Sequence, residues 1–519
     1  MIVVFFNNMF NNLLPGIFPV FTILFIIGFF IYYIMIIQPK KDKPGEEQEE
    51  PNKKSLTFLV RRHPLKRRDV EPIVMITVVF LFLAIFNLGG TNTIDVTHEI
   101  QFPTENRTHL NNLYFDEVYF VRTAVEHIEN HNPYETSHPP LGKEIIAASI
   151  LTFGMTPMGW RLFGALFGVI MIVVMYIFIK NMFGRTVIAT CGALLLGFDF
   201  MRFVQTRIAT IDSYSVCFIL LAFFFMYRHI TTDVNAPFRK SLAPLAFSGI
   251  FFGLSFAVKW IGFYAGFGLY IIYVIRLVQL SHHYSKTKKP GFDLYLLKTL
   301  LFSVLFFGII PAVVYYLTYI PYGLARGMTL NGGMLWDPEF FKVFWNNQIA
   351  MFRYHSQLDA VHPFSSIWWQ WILNIRPILY VNNAFGDARA KFGAFGNPVL
   401  WWGGFVAMII MAVRIFTHRD GKALFIVIGY VTQLLPWVAV TRIVFTYHYF
   451  PSTLFLVLAL AHIFNTIIEH RKRAGPKYIY AYTSVTGAVF AMFFPSLAGL
   501  YMPAWYFSSF VRWFNTWPF

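Results

Sequence analysis

The sequence predicts an all-α integral membrane protein with about twelve transmembrane helices. Three observations carry that expectation. Of 519 residues, 56% are hydrophobic and only 13% charged, and the mean hydropathy is +0.54, far more apolar than a soluble domain needs to fill its core. Apolar runs of about 17–25 residues, long enough to cross a bilayer as helices, recur along most of the chain. Basic residues are distributed unequally between the connecting segments, as in proteins oriented by cytoplasmic Lys and Arg.

In chain order the apolar runs fall at 13–37, 72–90, 160–180, 187–203, 210–228, 243–258, 261–279, 299–320, 397–416, 423–441, 443–467 and 478–500. The breaks at Gln205, Lys259 and Thr441 are narrow, so each rests on very few polar residues. Four regions follow from this spacing. Residues 1–71 hold an N-terminal helix and a basic linker. Residues 72–320 hold the next group of helices, with an outer loop at 91–159. Residues 321–396 make a second outer loop, and 397–519 a C-terminal four-helix region.

Charge orients the chain. Residues 38–71 carry ten Lys and Arg, which places that segment in the cytoplasm. Strict alternation then puts 27 Lys and Arg with 11 Asp and Glu inside, against 15 and 15 outside, so the net +16 lies entirely on the inner side. That bias and attraction to anionic lipid account for the positive charge, and nucleic acid is not an expected partner. The chain begins MIVVFFNN, without the basic region of a cleaved signal peptide, so the first apolar run reads as a retained helix. Cys191 and Cys217 both fall in apolar stretches, where cysteine packs as a small hydrophobe, and they form no disulfide framework.

The stretch KKDKPGEEQEEPNKK reads as a disordered linker. No internal repeat suggests an inverted-repeat transporter. The unusual residues concentrate in the two outer loops. In the first, Val118, Val121, Val125 and Ile128 recur at helical spacing between charged residues and predict an amphipathic helix lying at the membrane surface.

YFDEVYF places Asp116 and Glu117 together at the start of that helix. An N-cap would by itself explain an acid there. The functional alternative is a carboxylate that takes the proton of an attacking hydroxyl, with its neighbour binding and positioning. SHPPLGKEII sets His138 and Lys143 in a rigid loop, which reads either as a site or as a sharp turn with an interfacial lysine.

Arg161, Arg207, Lys259 and Arg442 recur at outer helix ends, where a positive-inside protein should be poor in cations. Any one of them could pair with a local acid such as Asp199 or Asp212, but as a set they point to an anion-binding cavity for a departing phosphate. The second loop carries His355, His362 and a group of Trp and Tyr beside Arg376, a pattern of membrane interfaces and of carbohydrate platforms. His138, His355, His362 and His448 lack HxxxH or HxH spacing, so no metal is expected.

At these residues the sequence resembles the protein O-mannosyltransferase family, membrane glycosyltransferases of the GT-C class. The resemblance runs through YFDEVYF, SHPPLGK, MGWRLFG, QTRIATIDSY, AVKWIGFY, YHSQLDAVHPFSSIWWQWILNIRPILYV, TYHYFPS and FPSLAGLYMPAWYFSSFVRWF, in order across about 75–519. It implies a GT-C fold with interfacial helices in the two outer loops. It also implies Asp116 as base with Glu117 as supporting acid, and Arg161, Lys143 and Arg207 at the donor phosphate. The site extends by motif context to His138, Lys259, Arg442, His448 and His362.

The segment 321–396 is too short for the MIR domain of eukaryotic members, which points to a bacterial-type member, and the helix at 13–37 is additional to the family's usual eleven. The function so implied is inverting transfer of mannose from a polyprenyl-phosphate donor in the membrane to Ser or Thr of secreted or membrane proteins. The reaction would take place at the outer face of the cell membrane. No cofactor beyond the donor substrate is implied. Alternatives are transfer of another sugar to a lipid or cell-envelope glycan, or a transporter; a transporter should carry its polar residues at mid-bilayer, not at outer helix ends.

Overall fold

A computed structural model describes residues 14–37, 62–89, 109–329 and 333–519. Most of the linker at 38–71 and residues 91–108 of the first outer loop lie outside the described residues. Each of the twelve predicted runs coincides with helix. The helices of the bundle are α1 (Leu14–Ile37), α2 (Val70–Ile85), α5 (Pro157–Phe183), α6 (Thr186–Gly197), α7 (Phe200–Gln205), α8 (Asp212–Ile230), α9 (Arg239–Val258), α10 (Gly262–Lys286), α11 (Phe292–Val304), α12 (Ile310–Leu317), α14 (Pro398–Thr417), α15 (Gly421–Leu434), α16 (Phe450–His470) and α17 (Gly475–Leu497). The outer segments add α3 (Glu117–Ile128), α4 (Leu141–Phe153) and α13 (Pro338–Gln357). Among the described residues, eight helices are both long and apolar enough to cross a membrane, and the chain is a multi-pass membrane protein.

The bundle is organised around α16, whose residues from Phe450 to Ile468 are all buried. It packs against α14, α15, α6 and α8. A helix apolar all round and enclosed by others is the centre of such a bundle. At the periphery, α11 and α12 turn mostly outward, as lipid-facing helices do. The additional α1 docks by its aromatic side chains: the ring of Phe29 lies 4.7 Å from Tyr482, and Tyr32 stacks on Tyr478 at 3.7 Å.

Helix ends follow local chemistry. Thr156 caps α5 by accepting from Gly159 N at 2.9 Å, with Pro157 at the first helical position. Gly184 ends it at φ +74, a conformation that favours glycine. Between α11 and α12 the helix widens into a π turn, Leu305–Ile309. Pro311 follows, and its ring would collide with the carbonyl four residues earlier in a regular helix. The displaced Phe306 carbonyl sits against Gly249, where a Cβ would approach it to 2.1 Å.

Three expectations are corrected. The run 187–203 is two pieces, because Asp199 interrupts it and caps α7 by accepting from Arg202 N at 3.2 Å. The amphipathic α3 exists, but Val118 and Val125 do not define its buried face. Glu117, Phe120, Val121, Ala124 and His127 do, packing on α4 and Tyr214 rather than lying free on the membrane. The second outer loop also contains a hairpin that was not expected. β1 (Ile378–Phe385) pairs antiparallel with β2 (Ala388–Ala394) across the two-residue turn Gly386–Asp387, and β3 (Met502–Pro503) joins β2.

At the end of the bundle where α5 meets α6, Lys180 Nζ pairs with Asp69 at 2.8 Å, and Tyr176 and Thr186 donate to the same carboxylate at 3.0 and 2.8 Å. Removing one partner leaves a buried charge. Asp69→Ala is expected to lower stability by ~3–5 kcal/mol, because it leaves the Lys180 ammonium buried without its partner. Asp69→Leu with Lys180→Met should recover most of the loss. Thermal unfolding in detergent measures both.

Candidate active site

Two adjoining cavities, of about 340 and 510 Å³, open at the end of the bundle opposite that ion pair. Both are lined by Ser137, His138, Lys259, His355, Arg442 and His448. The smaller lobe is aromatic, with Trp260, Tyr264, Phe352 and Trp437. The larger is polar, with Asp116, Tyr119, Tyr134, Glu135, Tyr354 and Tyr447. The walls come from the start of α3, the loop before α4, the end of α9, α13 and the non-helical segment between α15 and α16.

The chain turns sharply before α3. Phe115 adopts φ +54, uncommon for a residue with a side chain, and its ring lies 4.2 Å from Tyr380. Asp116 follows at the N-cap position, yet its side chain makes no capping hydrogen bond. It lines the polar lobe instead. Burial pushes its carboxyl up to about 7; Lys259 pulls it down, and Asp212 and Glu135 push it further up. Such an acid is poised to exchange a proton near neutral pH.

Glu117 is placed oppositely. It is fully buried and receives Arg161 Nε and Nη2 at 2.7 Å each, with Ala209 N at 2.8 Å. Arg161 also donates from Nη1 to the carbonyls of Leu88 and Leu110, at 3.0 and 2.5 Å, and from Nη2 to Asn112 O at 2.8 Å. A guanidinium has five N–H donors, and all five are engaged.

The cations therefore divide into two sets, and Arg161, Lys143 and Arg207, which the resemblance placed at the donor phosphate, hold protein carbonyls and carboxylates here. None of the three lines the cavities. Lys143 Nζ donates to Glu135 Oε2 at 2.6 Å, Glu135 O at 3.1 Å and His138 O at 2.8 Å, which fixes the His-Pro-Pro loop from behind. Arg207 donates to Leu83 O and Asn87 O at 2.8 and 2.9 Å, where α2 ends. His362 also lies outside the lining; it packs its ring 5.1 Å from Phe445.

The other predicted residues do converge. Lys259 stands where α9 breaks and pairs with Asp212 at 2.8 Å. Arg442 makes a single hydrogen bond, from Nη1 to Ile443 O at 3.1 Å, so most of its donors remain available among the described residues. His448 contacts Phe445 O through Nδ1 at 2.9 Å and stacks near Trp371. His138 contacts Glu135 Oε1 through Nδ1 at 3.0 Å, and burial holds its imidazole below the usual range. Its ring lies 5.3 Å from that of His355, which contacts Ser137 O through Nε2 at 2.8 Å.

Glu135 was not singled out from the sequence. Burial opposes its charge, but Lys143 and His138 hold its carboxyl far below the usual carboxylate range. The nearest sequence signal was its place in ETSHPP, three residues before His138. Asp212 was read only as a possible pairing partner, and Tyr447 only as part of a motif. Among the described residues no group of three or more His, Cys, Asp or Glu is arranged to hold a metal ion.

Comparison with known proteins bears on this geometry. A family model described as dolichyl-phosphate-mannose-protein mannosyltransferase matches residues 148–322. A second, the C-terminal four TMM region of protein-O-mannosyltransferase, matches residues 340–517. The chain belongs to the protein O-mannosyltransferase family.

The resemblance carried by the motifs is borne out, and with it the GT-C fold. Curated relatives named polyprenol-phosphate-mannose–protein mannosyltransferase include those of Mycobacterium tuberculosis, 24% identical over 74% of this chain and 83% of theirs, and Mycolicibacterium smegmatis, 26% identical over 74% and 84%. That of Corynebacterium glutamicum is 25% identical over 73% and 81%. In fold, this family member is similar to a chain of the S. cerevisiae Pmt1-Pmt2 complex bound to the sugar donor, with a TM-score of 0.72, 13% identity and coverage of 89% and 94%.

The two adjacent acids should separate in a stability measurement. Arg161→Ala strands the Glu117 carboxylate and is expected to destabilise by ~3–5 kcal/mol. Asp116→Asn removes no hydrogen bond among the described residues and should leave the melting temperature unchanged. Equal losses in the two variants would refute this division.

Proposed function

We propose that this chain transfers mannose from a polyprenyl-phosphate carrier to Ser or Thr hydroxyls of proteins, with Asp116 as the general base, at the face of the cell membrane away from the cytoplasm. The observation that carries the reading is a carboxylate that, among the described residues, makes no capping bond or ion pair, and lines a cavity together with a cation whose donors are mostly open. The activity for which the relatives are named supports the donor and the class of acceptor. The excess of basic residues in the opposite connecting segments supports the outer face.

In this mechanism the acceptor oxygen attacks C1 of the sugar from the side opposite the phosphate, so one displacement inverts the anomeric configuration. The C1–O bond to phosphate breaks as the new bond forms, and the hydroxyl proton passes to Asp116. Arg442, Lys259 and His448 hold the departing phosphate as its charge grows, in a site where low dielectric strengthens each interaction. The aromatic lobe at Trp260, Tyr264 and Trp437 accommodates sugar faces or the first part of the lipid. Arg161, Lys143 and Arg207 position the loops and contact no substrate.

Two measurements test this. Asp116→Asn should lower turnover by ~10²–10⁴-fold with donor binding retained. Because the base must be ionised, wild-type kcat/KM should be flat at high pH and fall as pH drops through about 7. A profile that falls only near pH 4 would point to a different base.

Arg442→Ala should weaken dependence on the donor more than on the acceptor when purified enzyme is titrated with each separately. An unchanged donor dependence removes Arg442 from the phosphate site. Mass spectrometry of membrane and secreted proteins with and without the gene tests the acceptor. Loss of hexose from Ser/Thr peptides is the expected result, and an altered lipid or glycan with intact peptides would replace the protein acceptor.

A further inference from the structure

A third cavity, of about 590 Å³, lies at the other end of the bundle. It is framed by the loop before α2, the α5–α6 junction and the starts of α15 and α17 against the last turns of α16. α5 connects the two ends: Arg161 sits in its first turns, and Phe183, its last residue, lines this cavity. Twenty-seven helical residues at about 1.5 Å each extend roughly 40 Å, a full bilayer with its headgroups.

The acids at this end are largely taken. Asp69 is held by Lys180, Tyr176 and Thr186, and Asp420 by Arg414 at 3.1 Å and His462 at 2.8 Å. Three cations remain around the cavity: Arg68, Arg185 and Lys422. Its lone carboxylate, Glu469, accepts from Asn465 Nδ2 at 2.9 Å. Arg185 donates from Nε to Asn465 Oδ1 at 3.3 Å, and its terminal nitrogens have no acceptor among the described residues. Lys422 Nζ lies over the Phe183 ring at 5.0 Å rather than in an ion pair. The first residues of α6, Thr186 and Val187, line the same space, and Arg185 at the N-cap position makes no side-chain capping bond.

This arrangement offers several charge-assisted donors at headgroup depth, next to apolar walls at Phe183, Val187 and Ile468. We propose that this cavity binds the phosphodiester headgroup of an anionic phospholipid. The cations neutralise the phosphate, Arg185 and the start of α6 donate to its oxygens, and the apolar wall takes the beginning of an acyl chain. The site is independent of the donor cavity, so it stands or falls apart from the transferase reading.

The test uses the full chain, delipidated in detergent, with melting temperature measured after adding phosphatidylglycerol, phosphatidylcholine or inorganic phosphate at equal phosphate concentration. Phosphatidylglycerol should raise the melting temperature above the other two. In Arg185→Gln/Lys422→Gln that difference should vanish, while the exposed pair Arg473→Gln/Lys477→Gln at the same end should retain it. The proposal is overturned if the first double variant keeps the full difference, if the second loses it equally, or if inorganic phosphate alone reproduces it. Should the first double variant fail to fold, the exposed Arg68→Gln decides by native mass spectrometry. Phosphatidylglycerol retained at the wild-type ratio refutes the site, and its loss supports it.

Discussion

Arg161 and Glu117 are both fully buried and form a two-point ion pair. Isolated in a low-dielectric interior, either charge would carry a large desolvation penalty, and even as a pair they would gain little without further hydrogen bonds. The remaining N–H donors of Arg161 bind the carbonyls of Leu88, Leu110 and Asn112, and Glu117 accepts from Ala209 N. One ion pair thereby ties the end of α2, the segment before α3, the start of α5 and the approach to α8 into a fixed frame. The position of Asp116 depends on that frame, because it is the residue immediately before Glu117 and follows a left-handed turn at Phe115.

Two adjacent carboxylates thus have opposite environments. Glu117 is surrounded by donors and serves as an anchor. Among the described residues Asp116 lacks a direct partner, and burial raises it to about 7. The sequence cannot distinguish them, since both are acids at a helix start. What separates them is the helical rotation of about 100° per residue, which turns one side chain toward α5 and the next toward the cavity. The same logic applies at His138, where Glu135 and Lys143 hold the loop from behind so that the imidazole faces the cavity.

Much of the fold was legible, because hydrophobic runs of bilayer length leave few alternatives. Every such run became helix. The break at Asp199 was not legible, since its neighbours are apolar and only the capping geometry reveals it. The β1–β2 hairpin was marked by Gly386–Asp387 between two strand-like runs, but it fell in a loop read mainly for its histidines and tryptophans. Of the residues singled out in the sequence, Asp116, His138, Lys259, Arg442 and His448 line one pair of cavities; unusual charges and imidazoles near predicted helix ends are visible in one dimension. The protein partners of Arg161, Lys143 and Arg207 were not legible. A sequence reports the sign of a charge and its approximate depth, not which acceptor it reaches across 44, 8 or 124 positions of chain.

The division of cations has a physical basis. A cation whose donors are all satisfied by fixed carbonyls and carboxylates adds rigidity but has little left to offer a substrate. A cation with open donors can serve a transient anion, provided that the surrounding structure keeps it from collapsing onto a nearby acid. Arg442 stands in a non-helical segment between α15 and α16, where, among the described residues, its side chain binds only the carbonyl of the next residue. Lys259 is intermediate: Asp212 holds it at 2.8 Å, and its field lowers the proton affinity of Asp116. A donor phosphate entering beside Lys259 would offset that field and make Asp116 a stronger base when an acceptor hydroxyl must be deprotonated. Donor binding and base strength would then be coupled through one lysine, held in place by an aspartate at the start of α8.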